Sequence, residues 1–402
     1  MIGFERNEKR CESLGSHRFF VIMLRPGRCF SFERRKRCFP IIRQNSLKKA
    51  RKGKARREAI CYNRGMDEKT KKFLSLFPSM AGRVFYCVSE GRDLSKLDIK
   101  SATDFSMSTV LSAVEKLRKE GWITLREEKK KSGGKPRSII NVREGAFVCG
   151  VSYKSGILTA VKTDLKGEIE ASSQLAVMDK SVSPAGYAAS ALREIIKSGE
   201  TPVAIGLAIN SSDPNALARE IGEGFGAPVF VTSNTGAVAA LLLFREKEFP
   251  ACALGIGVRV KFARCASSIE VTDLSDLTSP CASGGFQTYG DVLSVSAVAE
   301  RLSDEDYRGN YAFNGEKFAE TRNKKEYSDL LVGCISSLVN EIAVLVRPKT
   351  LALFGDYLSD NFFARIKERA VSPEILRRFP ICPEELARGA AFCALKERVF
   401  TR

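Results

Sequence analysis

Residues 104–123 read DFSMSTVLSAVEKLRKEGWI, and this stretch decides how the N-terminal third of the chain is read. Ser106 suits a helix N-cap, because its hydroxyl can accept from the free amides of Ser108 and Thr109. Val110, Val114 and Leu117 then recur at i, i+4 and i+7, which is one buried stripe of a helix. Gly121 ends it. The opposite face offers short polar groups near the helix start, Met107, Ser108, Thr109 and Ser112, with Lys116 one turn further on.

Working outward, 79–90 has the spacing of a helix with Val84, Phe85 and Val88 on one face. A shorter helix is expected over 94–103, carrying Leu97, Ile99 and Ala102. Downstream, 122–128 and 137–142 read as two strands joined by KKKSGGKP at 129–136. Helix-turn-helix proteins read base edges with the N-terminal residues of their second helix. A hairpin loaded with Lys129, Lys130, Lys131, Lys135 and Arg137 suits a wing along phosphates. The expectation is a winged helix-turn-helix over 66–145 that binds double-stranded DNA. Ser106, Met107, Ser108, Thr109, Ser112 and Lys116 would face the bases, and Lys131, Lys135 and Arg137 the backbone. A three-helix packing module with a solvated hairpin accounts for either feature alone. Their order and spacing favour DNA.

The charge is unevenly spread. Of 402 residues and a formal charge of +18, residues 1–65 hold 19 Lys and Arg against 5 Asp and Glu, leaving the remainder nearly neutral. This leader contains RRKR at 34–37 and KKARKGKARR at 48–57, without sustained periodicity. It is expected to be a disordered tail or the product of a start assigned upstream of Met66; a basic arm on DNA phosphates is the alternative. The longest uninterrupted apolar runs, FFVIML at 19–24 and AVAALLLF at 237–244, fall short of the roughly 20 residues of a membrane span. Twelve cysteines without a CxxC pair indicate reduced thiols, hence a cytoplasmic protein. His17 is the single histidine, which removes histidine bases and histidine-held metals from everything after it.

Residues 146–402 open with strands at 147–153 and 158–163, then a DLKG turn at 164–167 into a third strand. Helices at about 184–197, 214–224 and 236–246 alternate with strands at 203–209, 229–232 and 251–257. A long helix near 326–346, a strand at 351–354 and helices at 359–369 and 384–397 follow. Hairpin strands first and βαβα alternation afterwards predict an α/β body in two halves. Gly255, Gly257 and Gly355 lie just after strands, where such folds bind ligands, although glycine there is also ordinary turn chemistry.

The whole resembles the repressor/open-reading-frame/kinase (ROK) family, specifically its transcriptional regulators, over about 75–402. FSMSTV at 105–110 is similar to the family's LSxxTV, EGWI at 120–123 to its helix end, and GGKP at 133–136 to its GGRxP wing. In the body, GV at 150–151, DLKG at 164–167, GIG at 255–257, FG at 354–355 and GAA at 389–391 follow its pattern. The resemblance implies a bilobed sugar-kinase/actin-like fold, commonly dimeric. Active relatives carry an Asp-Gly-Gly-Thr phosphate loop where this chain has SYKSG at 152–156. Their base is the aspartate of ENDANAAAL, where TSNTGA at 232–237 places Asn234. Their GEIGH segment has no counterpart, and their CxCGxxGCLE loop is reduced to CASGGFQT at 281–288, whose one cysteine cannot hold a structural zinc.

These observations lead to a DNA-binding transcriptional regulator, a repressor by this reading. It would be a homodimer on a double-stranded operator, with a pseudokinase body, no cofactor, no metal and no membrane association. A sugar-type effector could occupy a pocket at Asn210, Asn234, Gly236, Gly255 and Gly257, though each also reads as a turn or cap residue. The alternatives are a sugar kinase of the same fold and a DNA-binding scaffold without effector.

Overall fold

The computed structural model describes residues 68–91, 93–128, 137–154, 156–177, 182–209, 211, 213–247, 249–279, 287–301, 322–355, 357–380 and 382–401. All belong to one compact unit. The leader and His17 lie outside the described residues.

The first elements are α1 (Glu68–Leu74), α2 (Met80–Glu90), α3 (Lys96–Thr103) and α4 (Met107–Lys119), followed by the antiparallel strands β1 (Ile123–Glu128) and β2 (Arg137–Val142). Side-chain caps set the helix starts. Ser79 Oγ accepts from the Gly82 amide, and Ser95 and Asp98 form a reciprocal capping box. That box explains why α3 begins two residues later than its apolar pattern suggests. Leu94 instead bridges Ile140 of β2, and Leu97 is 65% exposed rather than packed. Phe73, Phe77, Phe85, Val110, Val114, Leu117, Trp122 and Ile140 form the core between these helices and the hairpin.

The body is mixed α/β, with two five-stranded sheets on one plan. The first comprises β3 (Phe147–Lys154), β4 (Ile157–Asp164), β5 (Ile169–Ala176), β6 (Ala204–Ala208) and β7 (Val229–Thr232), ordered β5-β4-β3-β6-β7. The second comprises β8 (Ala251–Ile256), β9 (Val260–Cys265), β10 (Ile269–Asp273), β11 (Thr350–Gly355) and β12 (Leu376–Arg378), ordered β10-β9-β8-β11-β12. In each, the first strand is central, with an antiparallel hairpin on one side and parallel strands on the other. The repeated plan gives the two halves that the alternation predicts.

Between the sheets lie α7 (Asn234–Glu246) and α12 (Pro383–Leu395), packed on each other, with α12 against β3, β4 and β6 and α7 against β8 and β9. The remaining helices are α5 (Pro184–Ile195), α6 (Pro214–Phe225), α8 (Tyr289–Leu293), α9 (Val295–Arg301), α10 (Arg322–Val346) and α11 (Asp360–Arg369). The approach of α12 is close enough to touch backbone to backbone. A Cβ at Gly150 would overlap the Ala387 carbonyl, one at Gly206 the Ala390 carbonyl, and one at Gly389 the Ala237 carbonyl. A π-helical turn, Lys396–Phe400, continues α12 and brings Phe400 onto Phe77 and Phe85 of the first module.

One helix is longer and more apolar than the uninterrupted runs suggest. Tyr327–Val346 of α10 passes for a membrane span by length and composition, its polar residues being dispersed. Its Leu331, Val332, Ile335, Leu338 and Val339 are buried in the core of the second sheet, as expected of a core helix.

Candidate functional site

Two regions carry the residues singled out by sequence. The first is the outward face of α4. Ser106 takes an extended backbone conformation, and its Oγ accepts from the Thr109 amide at 3.1 Å. The same oxygen lies 2.8 Å from both Ser108 Oγ and Thr109 Oγ1, so three hydroxyls cluster at the helix start. Val110, Ala113, Val114 and Leu117 face inward, Ser108, Ser112 and Lys116 are exposed, and Met107 and Thr109 are half-buried. A shallow concavity of about 490 Å3 separates Ser108, Ser112 and Lys116 from Ser79 and Met80 at the start of α2.

Sequence reasoning missed one charged group on this face. Glu115 accepts from Arg118 through both carboxylate oxygens, at 3.0 and 2.8 Å, which holds its carboxyl below the usual range. The i, i+3 spacing could have revealed the pair. At the other end of α4, Gly121 adopts a left-handed conformation, and Trp122 Nε1 donates to Glu120 at 3.0 Å. Glu128 of β1 pairs with Arg137 of β2, so strands flank the expected wing. Lys129 to Lys131 and Lys135 lie outside the described residues, as does the side chain of Arg137.

The second region lies where β3, β6 and β7 end. Ser233 caps α7 by accepting from the Gly236 amide at 3.1 Å, which makes Asn234 the first helical residue. Asn234 Nδ2 donates to the Tyr153 carbonyl at 3.2 Å, tying α7 to the β3–β4 hairpin, while its Oδ1 is buried without a partner. Ser152 is buried and donates to the Pro383 carbonyl, so the start of α12 is fixed at the same end. Gly236 is crowded by Thr232 and by Val271 of β10, and Gly255 by the Phe354 ring and Thr235. Gly257 has open space beside it, and its carbonyl accepts from Val295. Asn210 lies outside the described residues.

No family model and no curated protein matches the sequence. Solved structures do match. A ROK family transcriptional regulator, described as a homolog of the E. coli MLC protein, superposes with a TM-score of 0.59 at 15% identity, covering 83% of this chain and 98% of its own. A ROK hexokinase from Thermus thermophilus gives 0.50 at 16% identity, over 62% of this chain and 99% of its own. A putative N-acetylmannosamine kinase from Listeria monocytogenes gives 0.51 at 12%, over 62% and 99%. The body has the ROK fold.

Within that ROK fold, the position read as the base holds an amide whose Nδ2 already donates to Tyr153. A carboxamide has no site that takes up a proton at neutral pH. Two glycines of the ROK-like motifs have a packing role: Gly150 admits α12 to β3, and Gly389 lets α12 lie against α7. Among the described residues, no three His, Cys, Asp or Glu side chains gather as a metal site. Seven cysteines there form no disulfide, and burial pushes the Cys87, Cys149, Cys252 and Cys265 thiols up to about 12, leaving them protonated and unreactive. Sequence reasoning also missed a groove bordered by β7 and β10, because it is assembled from strand edges far apart in the chain.

Proposed function

We propose that this chain is a DNA-binding transcriptional regulator, a repressor, whose residues 66–145 are a winged helix-turn-helix and whose ROK-fold body, 146–402, has no sugar-kinase activity. One observation carries the reading: α4 presents Ser108, Ser112 and Lys116 outward from a capped N-terminus, with a β hairpin following at once. Short polar side chains at the start of a helix suit base edges in the major groove, and a lysine further along suits phosphate. The longer match to a ROK regulator than to ROK kinases supports it. The chain acts as a cytoplasmic homodimer on a two-fold-related duplex operator, with Lys131, Lys135 and Arg137 on the backbone. The body serves dimerisation and the sensing of a sugar-type effector near Asn210, Asn234, Gly236, Gly255 and Gly257.

The kinase alternative lacks its chemistry. Transfer to a sugar hydroxyl needs a group to accept the proton and a cradle for the phosphates. Asn234 cannot provide the first, and the stretch aligned with the phosphate loop carries Lys154 and Ser155 where backbone has to approach phosphate closely and glycine is needed. The test is binding to a randomised duplex library at fixed salt. Enrichment of a two-fold-related sequence is expected; recovery of bulk DNA without enrichment sinks the regulator reading.

A further inference from the structure

Strands β7 and β10 are the outer strands of their sheets, and their edges border one groove of about 650 Å3. One wall is β7, ending in Thr232 and Ser233, together with Asn215 in the first turn of α6. The other is Ser268 and Ile269 at the start of β10, while Glu397 of the π turn closes the end. The volume suits a small ligand, with hydroxyls and an amide set among apolar side chains. Glu397 is the one fully charged side chain among the described residues that line the groove, and none of them is Lys or Arg. Such a lining offers phosphates and carboxylates no cation, and offers an ammonium group one carboxylate.

Glu397 also touches the joint between the body and the first module. Its neighbour Lys396 is 1% exposed, and the Lys396 ammonium donates to the Ser267 carbonyl and lies 3.9 Å from the Glu397 carboxylate. A buried lysine depends on such counter-charge. Four residues on, Phe400 packs so closely against α2 that a Cβ at Gly82 would come within 2.8 Å of the Phe400 Cα.

We propose that the β7–β10 groove binds a small hydroxylated amine, with its ammonium on Glu397 and its hydroxyls on Thr232, Ser233 and Ser268. Occupancy draws Glu397 away from Lys396, and the π turn carries the displacement through Phe400 to α2. The transmitted effect rests on the DNA-binding reading; the binding site does not.

The test is thermal unfolding of the full chain in an amine-free buffer with glucosamine, glucose or glucose 6-phosphate. Glucosamine is expected to raise Tm with the logarithm of its concentration, glucose to need about tenfold more for the same rise, and glucose 6-phosphate to do nothing. Glu397→Gln should abolish the preference for glucosamine over glucose, and Ser268→Ala should weaken glucosamine binding. Glucosamine should also change affinity for the selected duplex, and Lys396→Met should reduce that change while keeping the Tm rise. No rise with glucosamine, or a glucosamine rise that Glu397→Gln and Ser268→Ala both leave unchanged, overturns the site. A Lys396→Met chain that keeps the full DNA response overturns the relay. If the chain binds no duplex at all, the DNA-binding reading fails while the thermal measurement still decides the groove.

Discussion

The ring of Phe400 stacks on that of Phe77, with centroids 4.3 Å apart and planes 25° apart. Phe77 lies between α1 and α2, whereas Phe400 ends the π turn after α12. Phe85 and Phe244 complete the cluster, each with its centroid within 5.9 Å of Phe400. The first module and the body therefore share one hydrophobic core.

Phe400→Ala should lower the free energy of unfolding by about 3–5 kcal/mol, the usual cost of emptying a buried phenylalanine site. Trp122, the single tryptophan, contacts Phe85 in the first module, so its fluorescence reports there while far-UV circular dichroism reports mostly the body. In the unsubstituted chain the two urea transitions should coincide. Separate midpoints would show that the shared core does not couple the two parts.

Gly206→Ala should destabilise by at least about 3 kcal/mol, because the added methyl overlaps a helix carbonyl held in place from both sides. Gly224 is the control: it is exposed in α6 with nothing near its Cβ position. Gly224→Ala should stabilise by about 0.5–1 kcal/mol. Denaturant midpoints of the two variants should move in opposite directions.

On α4, stability and recognition should separate. Ser106→Ala removes the cap and should cost about 1 kcal/mol of stability. Ser112→Ala should leave stability within about 0.5 kcal/mol but relax base preference, at about 1–3 kcal/mol per lost base contact. Lys116→Ala should weaken all duplexes alike and flatten the salt slope by about one unit. Library selection and salt titration distinguish the three; an unchanged preference in Ser112→Ala removes that residue from the interface.

Asn234→Asp should not create sugar-dependent ATP consumption, since the β3–β4 hairpin would still carry Lys154 in place of a glycine cradle. A coupled ATP assay against hexoses and acylated amino sugars checks this. Turnover in the natural chain that Asn234→Ala abolishes would restore the kinase reading.

Acid should erode stability in part through Glu200. The Lys162 ammonium, at 2.7 Å, and the Lys197 amide hold its carboxyl below the usual range. Its contribution is therefore complete above the unfolded value of about 4.3 and is lost as pH falls through the lower folded value. Glu200→Gln should flatten the Tm profile over that acid limb and leave its shape above about pH 6 unchanged.

The two halves of the body are legible in sequence because most of their strands are continuous apolar runs separated by capped helices. Strands β9 and β10 are not, since Lys261, Arg264 and Glu270 interrupt them and β10 is largely exposed. The π turn is hidden for a related reason: periodicity counts Lys396 as polar, yet it is buried with its ammonium on the Ser267 carbonyl of the β9–β10 turn. The α4 face is legible because cap, stripe and outward groups fall within one helix. The role of GAA at 389–391 emerges only in three dimensions, where it gives α12 a flank of hydrogen and methyl side chains to lay against α7 and β6.

The slot that receives α12 also dictates an order of assembly. Strands β3, β4 and β6 are complete by residue 208, but the helix that covers their inner face begins at Pro383. As the chain leaves the ribosome N-terminus first, the first sheet must wait with an apolar face uncovered while about 175 further residues are made. Nascent chains halted before residue 383 should therefore be the ones that recruit chaperones, and release of the C-terminal helix should be the step that ends that dependence.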